Sequence, residues 1–161
     1  MTMIARISLG AALAAIAVAA NADPLDDLAP DHVIAQMQCA IKPYPVTFAA
    51  YLAKRSLIVL KDNIGADSTS CWKLNGTYDL SGLPVSRLCV SEDDPFMVAL
   101  YPDIFYRGPG TSPGTQLILI TSLNEEDAKA WAAANNIASS AVTPSIYVEG
   151  QVDITCNDFD K

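Results

Sequence analysis

Basic residues, histidine and metal-binding cysteine motifs are what this sequence has least of, and each shortage excludes a class of function. Ten Lys and Arg stand against eighteen Asp and Glu, a formal net charge of −8 at pH 7 over 161 residues. A chain this acidic is repelled by phosphate backbones and by anionic lipid, so neither nucleic acid nor a membrane surface is an expected partner. A basic protein or a cationic ligand stays compatible with it. His32 is the one histidine, and neither C-x-x-C nor H-E-x-x-H occurs. A zinc or haem centre therefore has nothing to build on, and no cofactor or metal is expected. A long apolar run is missing too. The most sustained one, residues 7–19, is shorter than a membrane-spanning helix requires.

That short run reads as an address. Arg6 precedes it, and Ala20-Asn21-Ala22 follows as a small-x-small cleavage pattern. Residues 1–22 are read as a cleaved secretory signal of bacterial character, which implies a periplasmic or secreted protein. Residues 23–161 then form a single domain. The residue at the cleavage point is Asp23 rather than a cysteine, and the end of the sequence has no second hydrophobic tail, so no lipid or membrane anchor is expected. All four cysteines lie after the signal, and an even set in an exported chain points to two disulfides.

Patterning predicts an α+β domain: helical segments near the N-terminus, five or six mostly antiparallel strands, and one late helix packed on the sheet. Asp31 caps a helix reaching Ile41, with Val33, Ile34, Met37, Ala40 and Ile41 on one side and His32, Gln36 and Cys39 on the other. Residues 46–55 fit helix or strand, and the alanines with a first-turn proline favour helix. Strands are expected at 57–60, 70–74, 85–91, 96–101 with a continuation at 104–107, 117–120 and 146–156. The second and third of these are joined by a turn-rich loop holding Gly76, Asp79, Ser81, Gly82 and Pro84. Asn124 caps a helix whose first turn carries Glu125, Glu126 and Asp127.

Strand parity selects a cysteine pairing. If Trp72, Leu74, Leu88 and Val90 face the core, Cys71 and Cys89 share the opposite face on neighbouring strands. Cys156 then lies on the buried face of the last strand, where Cys39 of the first helix meets it. The expected bridges are Cys71–Cys89 and Cys39–Cys156.

Catalytic motifs fail on inspection. Gly110-Thr111-Ser112-Pro113-Gly114 matches G-x-S-x-G, but the oxyanion hole of a serine hydrolase needs an N–H after the serine, and Pro113 has none. Glu92-Asp93-Asp94 and the group Asp153, Asp158 and Asp160 lack a calcium-loop pattern and read as solvated turns. His32 sits on a polar helix face, and Asn75-Gly76-Thr77 reads as a turn rather than a glycosylation site.

What remains is a loop with two prolines and three glycines at 108–114, flanked by Phe105, Tyr106 and Arg107. Prolines lower the ordering cost of binding, and aromatic and Arg side chains dominate interfaces. Tyr106, Arg107, Pro109, Thr111, Ser112 and Pro113 are thus the candidate binding residues of a binding or inhibitory module without catalysis, its partner a protein or envelope ligand. The alternatives are a small exported enzyme using Glu92, Asp94 or Asp103 with Tyr106 or Arg107, and a structural envelope protein.

Overall fold

The computed structural model describes residues 30–108 and 114–158. Residues 1–22, read above as a signal, lie outside them. Within that range four helices pack on a six-stranded antiparallel sheet, an α+β fold. The elements are α1 (Pro30–Met37), α2 (Pro45–Lys54), β1 (Ile64–Ala66), β2 (Thr69–Leu80), β3 (Leu83–Ser91), α3 (Pro95–Leu100), β4 (Gln116–Thr121), α4 (Glu125–Ala134), β5 (Val142–Pro144) and β6 (Val152–Asn157). The strand order is β1-β2-β3-β4-β6-β5.

The sheet grows from the β2–β3 hairpin. Ser81 and Gly82 turn it with φ of 50° and 89°, the doubly left-handed geometry that matches the twist of paired strands. Asp79 Oδ1 accepts the Gly82 N–H at 3.0 Å and holds the turn. Trp72, Leu74, Leu88, Val90, Leu117, Leu119 and Ile154 face the main core, where Val33, Met37, Phe48, Leu52, Ala128 and Trp131 cover them. The opposite face carries a smaller cluster of Cys71, Cys89, Ile118 and Ile120, on which Tyr147 and Val148 of the β5–β6 connection pack. β4 is apolar on both sides because it is covered on both sides. Trp131 Nε1 donates to Ser81 O at 3.0 Å and ties α4 to the hairpin tip.

Both expected disulfides are present. Cys71 stands directly opposite Cys89 in the β2–β3 register, with Cα atoms 4.1 Å apart. Cys39 reaches Cys156 with Cα atoms 5.5 Å apart.

Six local expectations are corrected. Gly76, Asp79 and Pro84, expected in a loop, lie within strands, because β2 runs to Leu80 and β3 starts at Leu83 with Asp79 paired to Pro84. Residues 57–60 form no strand: Ser56 adopts φ 59°, Leu57 N–H caps α2 on Leu52 O, and Val59 is exposed in front of a single tight turn. Residues 96–101 are helical in α3, because Asp94 Oδ1 accepts the Phe96 N–H at 2.9 Å and Pro95 occupies the first turn. Residues 104–107 continue no strand; Ile104 and Phe105 are both buried, one after the other. The last strand begins at Val152 rather than 146. Gly150 has φ 75° and the chain before it turns, which leaves Ile146 85% exposed. The first helix stops at Met37, so Ile41 is exposed. Its supposed polar side buries Gln36, whose Oε1 accepts the Tyr44 N–H at 2.8 Å. Strand β5 had no signal in the periodicity because it is only three residues long.

Candidate functional site

β3 and β4 are paired neighbours, yet residues 92–115 separate them. A two-residue turn would suffice, and connections this long in a compact domain are usually functional.

The base of this excursion is built around a buried carboxylate. Glu92 is 4% exposed. Its Oε1 accepts the backbone N–H of Asp93 at 3.0 Å and of Asp94 at 3.1 Å, and the Thr115 hydroxyl at 2.7 Å. One side chain thereby fixes the outgoing chain and clamps it to the returning one. Ser91 Oγ adds a second clamp, donating to Gly114 O at 2.8 Å. Thr115 N–H donates to Asp158 Oδ1 at 3.0 Å, and Lys42 pairs with the same carboxylate at 3.4 Å. Bonds to ionised carboxylates are stronger than neutral ones, so the base is rigid.

From that base the chain rises through α3. Met97 and Val98 lean on the core. Phe96 and Leu100, one helical turn apart, stay 70% and 53% exposed. Tyr101 closes α3, and its hydroxyl hydrogen-bonds that of Tyr44, which raises the Tyr44 pKa, with burial and the nearby Glu92 charge adding to the effect. Ile104 and Phe105 then plug into the core. The Tyr106 N–H donates to Ser70 Oγ at 2.8 Å, and the Tyr106 ring lies so close over Gly65 that a Cβ there would fall inside it. Glycine at 65 is what lets the excursion dock on the β1 edge.

The sequence-derived residues divide accordingly. Tyr106 and Arg107 are exposed where the arm leaves β1. Pro109, Thr111, Ser112 and Pro113 lie outside the described residues, as does the hydrolase-like match they contain. Of the three carboxylates considered for catalysis, Glu92, expected in a solvated turn, is instead the buried clamp, and Asp94 is the α3 cap. Asp103 lines a shallow groove with Ile58, Leu60 and Lys61, in which Glu92 and Asp94 have no part. His32 is exposed on α1. Among the described residues no three His, Cys, Asp or Glu side chains converge to hold a metal ion.

Two features escaped the sequence reading. The Phe96–Leu100 pair was hidden by assigning that stretch to a strand, although Asp94-Pro95 is a helix-start signal. The alternation that puts Cys156 on the buried face of the last strand puts Asp153 on the opposite, polar face, and the acidic grouping reads it as solvated, but it is 4% exposed. Its Oδ2 accepts the Ile146 N–H at 3.3 Å, while Oδ1 has no hydrogen-bond partner among the described residues. Burial pushes its pKa up, against the hydrogen bonds from Ser145 and Ile146. It lies beneath the segment that carries Tyr147 over the Cys71–Cys89 bridge, away from the β3–β4 excursion.

A second groove, about 460 Å³, runs beside the Cys39–Cys156 bridge and is lined by Met37, Gln38, Ser140, Thr143, Thr155 and Asn157 among others. It holds no acid, base or free thiol. No protein-family model matches this chain, and no curated protein or solved structure does either.

Proposed function

We propose that this protein is an exported, disulfide-stabilised binding module, without catalysis, which engages a protein or envelope ligand through its β3–β4 excursion. The observation that carries the reading is the construction of that excursion. A buried clamp at Glu92 holds an arm on which Phe96, Leu100, Tyr106 and Arg107 are exposed. Pre-fixed backbone lowers the ordering cost of association, which is what a binding arm needs. Two disulfides fit an oxidising compartment, and the signal reading of residues 1–22 narrows this to the periplasm or the medium. Carboxylate chemistry has less support, because Glu92 Oε1 is engaged by two backbone N–H groups and the Thr115 hydroxyl, and Asp94 Oδ1 by the Phe96 N–H.

Capture from periplasm and medium, with the chain from Asp23 as bait, tests the proposal. Arg107→Ala is expected to weaken capture of a stoichiometric partner. Because Arg107 is exposed, its replacement should move stability by less than about 0.5 kcal/mol. Equal capture by both proteins would remove Arg107 from the binding surface, and no capture by either would overturn the module itself. Intact mass of exported protein should begin at Asp23; retention of residues 1–22 would overturn the export argument.

A further inference from the structure

α3 differs from α1, α2 and α4 in burying no side chain completely. It has two apolar sides. Met97 and Val98 meet the core, and Phe96 and Leu100 meet solvent. Side chains four apart on a helix stack on one face, so the outward pair forms a single apolar ridge. Its backbone is held by the Asp94 cap and the Glu92 clamp, so the ridge is presented in one orientation.

The electrostatics around the ridge select what can cover it. Residues 92–106 contain Glu92, Asp93, Asp94 and Asp103 and no Lys, Arg or His, and the one base of the excursion, Arg107, follows seven residues after Leu100. Asp93, Asp94 and Asp103 are exposed. Lys61 borders Asp103, and Lys42 is paired with Asp158. A second copy of this chain would set the same acids against one another across a symmetric contact. The segment preceding α1 carries Asp23, Asp26 and Asp27 and no base, so it is repelled as well. Anionic lipid is disfavoured for the same reason. An apolar ridge rimmed by acids matches a segment with apolar anchors and Lys or Arg beside them.

We propose that the Phe96–Leu100 ridge of α3 seats a cationic amphipathic polypeptide segment of a partner protein. This rests on the reading of the β3–β4 excursion as a binding surface and names the chemistry of its occupant. The apolar anchors fill the ridge. The basic residues meet Asp93, Asp94 and Asp103, and steer the encounter.

The test uses the disulfide-intact chain from Asp23 and three fluorescein-labelled synthetic helical peptides. One has Leu at helical spacing with Lys elsewhere, one replaces Lys by Glu, and one scrambles the Leu/Lys order. Anisotropy titration is expected to show binding of the ordered Leu/Lys peptide, weakened by added salt. Phe96→Ser with Leu100→Ser should weaken it about tenfold, as loss of interface anchors does. Asp93→Lys should weaken it severalfold, and the Glu and scrambled peptides should not compete. Thermal melts confirm folding of each variant. If the double variant does not fold, Phe96→Ser alone and a photo-crosslinker on the peptide replace it, with crosslinks expected within residues 93–103. Equal binding by wild type and variants, or equal binding of ordered and scrambled peptides, would reduce the effect to net charge and overturn the proposal. So would absence of binding, or a self-association that disappears in Phe96→Ser, which would assign the ridge to a second copy. Partner capture that depends on Arg107, combined with no peptide binding, sinks this inference alone. Failure of both experiments sinks the binding module with it.

Discussion

Asp153 shows how much one buried oxygen can matter. Its carboxylate is nearly out of water, with one oxygen unpartnered, and desolvation raises its pKa. The folded state therefore binds this proton more tightly than the unfolded chain does. The linkage sign follows: the contribution of Asp153 to stability is greatest below the ordinary aspartate value, about 3.9, and is lost as pH rises through the folded value. Asp153→Asn keeps a carbonyl to accept the Ile146 N–H and removes the charge. It is expected to raise the urea midpoint at pH 7 and to leave it nearly unchanged near pH 3. Equal shifts at both pH values would show that the charge is not what costs stability. Alternation along 146–156 could not reveal this residue, because it put Asp153 on the polar side. Only the return of residues 145–150 across the sheet buries that side.

At the scale of the element, the β3–β4 excursion depends on Glu92. Glu92→Ala removes the acceptor for two backbone N–H groups and the Thr115 hydroxyl. Charged hydrogen bonds are worth roughly 1.5–3 kcal/mol each and are only partly recovered by water. The variant is expected to lose about 2–4 kcal/mol on that basis, with hydrogen exchange accelerating across 92–115 before the sheet opens. Uniform acceleration over the whole sheet would contradict a local clamp. This element was half legible. The loop residues Tyr106 and Arg107 were singled out from composition, whereas α3 was read as a strand. Phe96, Val98 and Leu100 alternate as a strand would, and six residues are too few for the two periods to separate. The capping bond from Asp94 and the proline after it decided the matter locally. α4, with Asn124 Oδ1 accepting the Asp127 N–H at 2.9 Å, is a longer case of the same logic and was read correctly.

At the scale of the molecule, the two disulfides divide the work. Cys39–Cys156 spans 117 residues and joins the end of α1 to β6, while Cys71–Cys89 spans 18 within one hairpin. Loop-closure entropy assigns about 4–5 kcal/mol to the long bridge and about 3 kcal/mol to the short one. Paired Cys→Ala variants should follow that order in denaturant midpoints. The reverse order would mean that the packing of Tyr147 and Val148 on Cys71 and Cys89, rather than chain closure, sets the stability of the short bridge.

Strand parity in β2 and β3, the doubly apolar run of β4 and the cap of α4 were determined by sequence alone, and with them the α+β class and both disulfide pairs. Each is local or period-two information: where a side chain points follows from its position along the strand once the hydrophobic face is known. The tertiary structure decided which segments between these elements are covered. It buried Gln36, Glu92 and Asp153, all polar, and left Phe96, Leu100 and Ile146 in water. Burial at those positions depends on which distant segment crosses above them, a property of chain return that no window of neighbouring residues contains.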